Sequence, residues 1–90
     1  MPERLHMVIK GRVQGVGFRY SAYRQAQSLG LVGWVRNRSD GTVEAEFEGT
    51  RGALDSMLDW AKEGPPLARV IGIDASRYED LSGYSDIEIR

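Results

Sequence analysis

The chain has 90 residues, a net charge of −1 at pH 7 from interspersed charges of both signs, one histidine and no cysteine. This composition excludes disulfides, thiolate nucleophiles and metal sites built from cysteine or from several histidines. The length suits one small domain over residues 1–90, the charge disfavours a nucleic-acid ligand, and no apolar run approaches the ~20 residues of a membrane span.

The two ends of the chain lead to predictions about cellular location and oligomeric state. The N-terminal Met1-Pro2-Glu3-Arg4 lacks the apolar stretch of a signal peptide, and with no cysteine present we expect a cytoplasmic protein. The chain stops at Arg90, soon after its last predicted strand. We therefore expect a free-standing monomer.

The first half of the chain predicts a strand, a helix and a β-hairpin. Residues 5–13 alternate between apolar and polar side chains, as a half-buried strand does. In residues 18–29 the apolar positions recur at helical spacing, and Gly30 is a suitable end for that helix. Residues 31–37 and 42–48 predict two strands joined by an Asp-Gly turn.

The second half predicts a helix followed by two strands. Thr50 is a suitable N-cap for a helix that Gly64-Pro65-Pro66 ends. Residues 68–77 predict a fourth strand with Ile71, Ile73 and Ala75 on one face, and residues 84–89 predict a short last strand.

This order of elements predicts an α+β fold. It is the ferredoxin-like, split βαβ sandwich, βαββαβ plus a short C-terminal strand, with two helices on one face of an antiparallel sheet. We expect the opposite face to be largely open. Glu44, Glu46 and Glu48 would face water there, and His6 would lie on that face as a bystander.

A glycine-rich loop between the first strand and the first helix is the strongest candidate for a functional site. Gln14-Gly15-Val16-Gly17-Phe18 leaves N–H groups without partners at a helix start, where the helix dipole favours an anion and glycine lets consecutive amides form a nest. The positive charge of Arg19 is unfavourable at this end of the helix dipole, and a bound dianion would compensate both. The loop therefore predicts a phosphate site, and a plain turn with Arg19 paired to a carboxylate is the alternative.

Asn37 ends the second strand, which the predicted topology places at the same sheet edge as the loop. Its carboxamide donates and accepts, so it can orient a water, but it cannot take a proton. A plain turn residue is the alternative. Arg36 and Arg38 either attract an anionic substrate or are simply solvated, and the sequence leaves open whether Ser39 or Thr42 supports Asn37.

Two stretches resemble the signatures of the acylphosphatase family. Residues 11–19, Gly-Arg-Val-Gln-Gly-Val-Gly-Phe-Arg, are similar to the family's phosphate loop. Gly33-Trp34-Val35-Arg36-Asn37, with Gly41, Val43 and Gly49 at their present spacings, is similar to its second signature. Neither stretch departs from the family pattern, and the element order extends the resemblance over nearly the whole chain.

The resemblance implies an enzyme that hydrolyses the bond between carboxylate and phosphate in an acyl phosphate. It implies that Arg19 is the phosphate-binding catalytic arginine, that Asn37 positions the attacking water, and that Gln14 to Phe18 supply amides to the phosphate oxygens. It also implies no metal ion or cofactor, a small-molecule substrate, and a loop that phosphate or sulfate can occupy.

Two other interpretations share the element order. A non-catalytic phosphate- or RNA-binding module needs sheet aromatics and a basic surface, and the glutamates of residues 42–48 oppose this, so we expect no nucleic-acid partner. We expect no membrane partner either. The second interpretation is a domain of a larger maturation enzyme, which would carry the same Arg19 and Asn37.

Overall fold

Two helices and five strands form the protein, whose residues 1–90 are all described by a computed structural model. The elements are β1 (Pro2–Arg12), α1 (Phe18–Ser28), β2 (Val32–Asn37), β3 (Val43–Thr50), α2 (Arg51–Glu63), β4 (Arg69–Tyr78) and β5 (Ile87–Ile89). The strand order is β4-β1-β3-β2-β5, with β5 parallel to β2 and the other neighbours antiparallel. The predicted ferredoxin-like α+β class is confirmed, and the parallel β5 makes the sheet mixed.

The hydrophobic core lies between the sheet and the two helices. Side chains alternate between the faces of a strand, so every second residue of the central strands meets the apolar stripe of a helix. The core residues that are at most 2% exposed include Leu5, Met7, Ile9, Phe18, Ala22, Ala26, Val43, Ala45, Phe47, Leu54, Met57 and Ala61. Burying one large side chain of this set contributes about 1.5–3 kcal/mol, so this layer fixes both helices on the sheet.

The helix ends follow the sequence prediction. Gly30 ends α1 with a φ of 71°, and the Oγ1 of Thr50 caps α2 by accepting the N–H of Ala53 at 3.2 Å. The strand limits are less accurate, because β1 begins at Pro2 and β5 only at Ile87. Neither helix combines the length and the apolarity that a membrane crossing requires.

A β-bulge between Lys10 and Gly11 alters the pairing of β1 with β4. Ile73 pairs with Ile9, but Gly11 pairs with Val70, so Ile71 has no directly opposite residue. The extra residue turns outward, and Ile71 is 76% exposed. The prediction that Ile71 and Ile73 share a face is therefore wrong, because Ile73 packs against the core while the bulge turns Ile71 outward.

The sheet face opposite the helices is partly covered by the segment between β4 and β5. Glu46 is 7% exposed and Glu48 is 5% exposed. Glu46 accepts hydrogen bonds from Arg4 and from the hydroxyl of Tyr84, and Glu48 accepts the backbone N–H groups of residues 82 and 83. The expectation of an open face with these carboxylates in water is wrong, because the returning chain supplies donors to them.

His6 lies on this same face, where the sequence places it. Its Nε2 is 2.7 Å from Oε2 of Glu44, whose other oxygen accepts from Arg36. The ring is thus hydrogen-bonded across the sheet, which gives His6 a structural partner.

Candidate active site

Two glycines give the loop between β1 and α1 its shape. Gly15 has a φ of 72° and Gly17 has a φ of 78°, in the left-handed region that other residues rarely adopt. Gly17 is the N-cap of α1, and no side chain caps this helix end. The predicted junction of strand, glycine loop and helix is confirmed.

The six backbone N–H groups of residues 15–20 have no acceptor within the protein. The first paired N–H of the helix is that of Ser21, which donates to the carbonyl of Gly17 at 3.1 Å. These donors lie at the positive end of the α1 dipole, and the first turn of α1 has no acidic side chain. A helix N-terminus of this kind is suited to an anion.

Arg19 is half-buried in the first turn of α1. It takes part in none of the ion pairs of the protein. Its positive charge therefore opposes the helix dipole without compensation from a carboxylate. An anion bound at the loop would relieve this conflict.

Asn37 is the last residue of β2 and shares a strand face with the buried Val35. Its partner on β3 is Val43, at the turn end of the hairpin. The Oδ1 of Asn37 is buried and accepts no hydrogen bond. A buried acceptor without a donor costs about 1–3 kcal/mol, and native proteins retain few such groups without a functional reason.

One cavity of about 190 Å³ joins these groups. The residues that line it are Val13, Gly15, Gly17, Phe18, Arg19, Tyr20, Asn37 and Ile89. The fold thus brings the glycine loop, Arg19 and the end of β2 together at one sheet edge, as the predicted topology requires. No histidine or carboxylate lines the cavity, and no group of three or more such side chains is placed to hold a metal ion.

A larger depression of about 440 Å³ lies elsewhere, between Glu3, Arg51, Arg77, Tyr78 and Glu79. Both arginines pair there with Glu3, so their charges are already compensated. We assign the site to the smaller cavity, because its donors and its cation have no partners within the protein.

The side chain of Gln14 ties the loop to the β2–β3 hairpin. Its Nε2 donates to the carbonyl oxygens of Arg38 at 2.7 Å and Thr42 at 2.9 Å. Neither Gln14 nor Val16 lines the cavity, and the side chain of Val16 belongs to the hydrophobic core. A contribution of their backbone amides to phosphate binding stays a prediction.

The two arginines that flank Asn37 are paired with carboxylates. The Nη2 of Arg36 lies 2.6 Å from Oε1 of Glu44, and the Nη2 of Arg38 lies 3.7 Å from Oδ2 of Asp40. Burial raises the pKa of Glu44, but hydrogen bonds from His6 and Arg36 outweigh it and leave this pKa below its ordinary value. Both arginines are therefore compensated by carboxylates, and neither supplies the cavity with an unpaired positive charge.

Thr42 is engaged with Asp40. Its hydroxyl donates to Oδ1 of Asp40 at 2.6 Å, and this bond holds the pKa of Asp40 below its usual range. Thr42 therefore does not support the carboxamide of Asn37, which has no side-chain hydrogen bond at its Oδ1.

Comparison with known proteins agrees with this geometry. Residues 5–89 match the family model described as acylphosphatase. The chain belongs to the acylphosphatase family. The acylphosphatase of Acaryochloris marina is 53% identical over 85 residues, which cover 94% of this chain and 90% of the relative. That of Methylococcus capsulatus is 54% identical over 87 residues, which cover 97% and 95%.

Solved acylphosphatase structures share the fold. The crystal structure of acylphosphatase from Bacillus subtilis is similar with a TM-score of 0.96 at 39% identity, covering 98% of both chains. Full-length HypF, in its phosphate- and nucleotide-bound form, is similar with a TM-score of 0.92 at 32% identity, over 100% of this chain and 12% of HypF. As a member of the family, the present chain is an enzyme that hydrolyses small-molecule acyl phosphates.

The sequence analysis missed two residues of the acylphosphatase cavity, Tyr20 and Ile89. Tyr20 directly follows Arg19, so its place beside the loop could have been inferred from the chain. Ile89 comes from β5, and only its pairing with Val35 brings it to the cavity. No local pattern indicates such a parallel pairing.

Proposed function

We propose that this acylphosphatase binds the phosphoryl group of its substrate in the cavity between the glycine loop and the end of β2. Arg19 and the loop amides bind the phosphoryl oxygens, and Asn37 orients the attacking water. One observation carries the proposal: a single cavity is lined by Arg19, which has no carboxylate partner, by loop residues whose N–H groups are unpaired, and by Asn37.

The binding step follows from charge and geometry. A phosphoryl dianion offers acceptors to the N–H groups of residues 15–20, and it compensates both the helix dipole and Arg19. The planar guanidinium can donate two parallel hydrogen bonds to two phosphoryl oxygens, which a lysine ammonium cannot reproduce.

The reaction proceeds by attack of water on phosphorus. The bond from phosphorus to the acyl oxygen breaks as the new bond forms, and its electron pair leaves with the carboxylate. Both protons of the water remain on phosphate oxygens, so an acyl phosphate dianion and water give a carboxylate and dihydrogen phosphate. The carboxamide of Asn37 hydrogen-bonds the attacking water and so orients the water's lone pair toward phosphorus.

This chemistry requires neither a general acid nor a strong general base. The leaving carboxylate is a weak base, and a loose, metaphosphate-like transition state needs little deprotonation of the water. Catalysis then depends on positioning and on stabilising charge at the phosphoryl oxygens. A cavity lined by one arginine, loop residues and one asparagine, with no carboxylate or imidazole, supports such a mechanism.

The proposal includes three further properties: catalysis without a metal ion or other cofactor, a monomeric state and a cytoplasmic location. The groups named above supply the positive charge that a metal ion would otherwise provide. Native mass measurement tests the monomer, and it also separates a free-standing enzyme from a domain of a larger assembly. Cell fractionation tests the location.

Nucleic-acid binding is not part of the proposal. RNA-recognition domains of this topology stack bases on sheet aromatics. Here the corresponding face carries Glu44, Glu46 and Glu48, and the last two are covered by the segment before β5. A salt-dependent RNA-binding assay should detect no complex.

Release of inorganic phosphate from acetyl phosphate, with and without excess chelator, tests the proposed mechanism. We expect turnover that the chelator leaves unchanged, competitive inhibition by inorganic phosphate, and much slower hydrolysis of a phosphate monoester, whose leaving group is poorer. If the protein hydrolysed none of the simple acyl phosphates tested, the proposed function would be contradicted. Loss of turnover in chelator, restored by added metal, would contradict its metal-free part.

A further inference from the structure

We infer that Tyr20 and Ile89 form the surface on which the acyl part of the substrate packs, so that the enzyme prefers apolar and aromatic acyl phosphates. The inference rests on the proposed function, because it assumes that the phosphoryl group occupies the cavity. It assigns specificity to two side chains that take no part in phosphate binding.

The cavity has a buried apolar wall and an exposed apolar rim. Val13 and Phe18 line it while being only 1% and 2% exposed, so they belong to its wall. Tyr20 is 60% exposed and Ile89 is 44% exposed, so both lie where the cavity opens to solvent. The rim is therefore the part that an entering substrate passes first and where the acyl group lies once the phosphoryl group is inside.

The lining of the cavity separates the two parts of the substrate. A water occupies about 30 Å³ in the liquid, so a cavity of about 190 Å³ has room for the phosphoryl group and the attacking water. With the phosphoryl group held by Arg19 and the loop amides, the acyl group lies toward the mouth, against Tyr20 and Ile89.

Both rim residues have apolar surface that the fold leaves unused. Neither belongs to the hydrophobic core, and both are exposed. The guanidinium of Arg24 lies 5.9 Å from the centroid of the Tyr20 ring, one helical turn along α1. An apolar or aromatic acyl group would bury part of both side chains, and aromatic pairs add about 0.5–1.5 kcal/mol.

The sheet fixes Ile89 at this position. Ile87 and Ile89 share one face of β5, and Ile87 is buried at 6% exposure. The N–H of Arg90 donates to the carbonyl of Val35 at 2.8 Å, which pins the end of β5 to β2 beside Asn37. Ile89 is thus held by the sheet and is suited to discriminate between acyl groups.

Charge favours an uncharged acyl group. Arg19 is the one cation that lines the cavity, and the proposed function uses it for the phosphoryl oxygens. The cavity lining offers no second cation to an anionic group on the acyl part. Benzoyl phosphate and acetyl phosphate are therefore suitable probes, because they share the reacting group and differ in apolar area.

Steady-state hydrolysis of benzoyl phosphate and acetyl phosphate tests the inference in the wild type, Tyr20→Ala, Tyr20→Phe and Ile89→Ala. Wild type should have the lower KM for benzoyl phosphate. The ratio of kcat/KM for benzoyl over acetyl phosphate should fall roughly three- to tenfold in Tyr20→Ala and in Ile89→Ala, and Tyr20→Phe should retain it. Ile71→Ala, an exposed isoleucine on β4 that does not line the cavity, is the matched control and should not change the ratio.

Inhibition by inorganic phosphate separates the possible outcomes. Its inhibition constant should be unchanged in all four variants, because the rim does not touch the phosphoryl group. A ratio that is unchanged in both Tyr20→Ala and Ile89→Ala, while the wild type hydrolyses both substrates, overturns the inference and leaves the proposed function intact. Failure of the wild type to hydrolyse either substrate overturns both.

Discussion

The carboxamide of Gln14 donates a hydrogen bond of 2.7 Å to the carbonyl oxygen of Arg38, across the gap between the glycine loop and the β2–β3 hairpin. Its second N–H donates to the carbonyl of Thr42. Arg19 follows the loop and Asn37 precedes Arg38, so this pair of bonds sets the distance between the two proposed catalytic groups. Gln14 is therefore a positioning residue in the proposed site.

Replacing Gln14 should lower both stability and turnover. Gln14→Ala removes two hydrogen bonds and should lower the free energy of unfolding by about 1–2 kcal/mol. Gln14→Glu should lower kcat more than Gln14→Ala does, because a carboxylate would face two carbonyl oxygens without a proton to donate. Urea denaturation and steady-state kinetics measure these effects. Gln27→Ala, which removes one exposed hydrogen bond to Tyr23, is the control. Equal kinetics for both alanine variants would refute the positioning role.

Arg19→Lys should abolish most of the activity while the protein stays folded. The lysine keeps the charge but loses the planar pair of donors, and losing a preorganised donor typically costs roughly 10²–10³-fold in kcat. The unfolding midpoint should stay close to that of the wild type, because Arg19 makes no ion pair. Arg24→Lys, an exposed arginine of the same helix, should remain fully active. Near wild-type turnover in Arg19→Lys would remove the argument from bidentate binding.

Asn37→Ala should separate catalysis from binding and from stability. Because Asn37 is assigned to the water, kcat should fall far more than the affinity for inorganic phosphate. Because its Oδ1 is buried without a donor, removal of the carboxamide should leave the free energy of unfolding unchanged or higher. Kinetics, phosphate inhibition and urea denaturation give the three readouts. Equal losses of turnover and phosphate affinity would reassign Asn37 to phosphate binding.

Two glycines should differ sharply in their tolerance of alanine. A Cβ on Gly33 would lie 1.9 Å from the carbonyl oxygen of Glu46, in a backbone with a φ of 140°. Gly33→Ala should thus cost more than the roughly 1–3 kcal/mol of a strained conformation alone. Gly15→Ala meets no atom within 4 Å and should cost only the roughly 1–2 kcal/mol of its left-handed φ. Comparable unfolding midpoints for the two variants would show that the strands around Gly33 can shift to accommodate a Cβ, and would contradict this prediction.

Acid should destabilise the protein partly through Glu44. Its pKa in the folded state lies below the ordinary value of 4.5, so the folded state binds its proton less readily than the unfolded state does. The ionised carboxylate of Glu44 therefore stabilises the folded protein fully above the ordinary pKa, and this contribution is lost as the pH falls through the lowered pKa. Glu44→Gln should therefore destabilise the protein near neutral pH and by less in acid. A urea midpoint difference that does not vary with pH would contradict this assignment.

Much of the proposed site could be predicted from the sequence because its parts are local. The change from alternating to helical spacing at Phe18, the glycines on either side of Val16 and the misplaced charge of Arg19 lie within one short stretch. Asn37 could be added because the split βαβ topology places the ends of the first and second strands at the same sheet edge. These features depend on neighbours in the chain, which the sequence displays directly.

Tertiary structure decided the features that depend on distant residues. Ile71 is exposed because it is the extra residue of a bulge where β4 pairs with β1, and Glu46 and Glu48 are buried because the chain before β5 folds back over them. Ile89 reaches the cavity only through parallel pairing with β2. The sequence by itself determined the element order and the anion-binding loop, since backbone conformation and helix ends are local. Only the folded sheet decided which side chains surround that loop, because strand pairing joins residues that the chain separates.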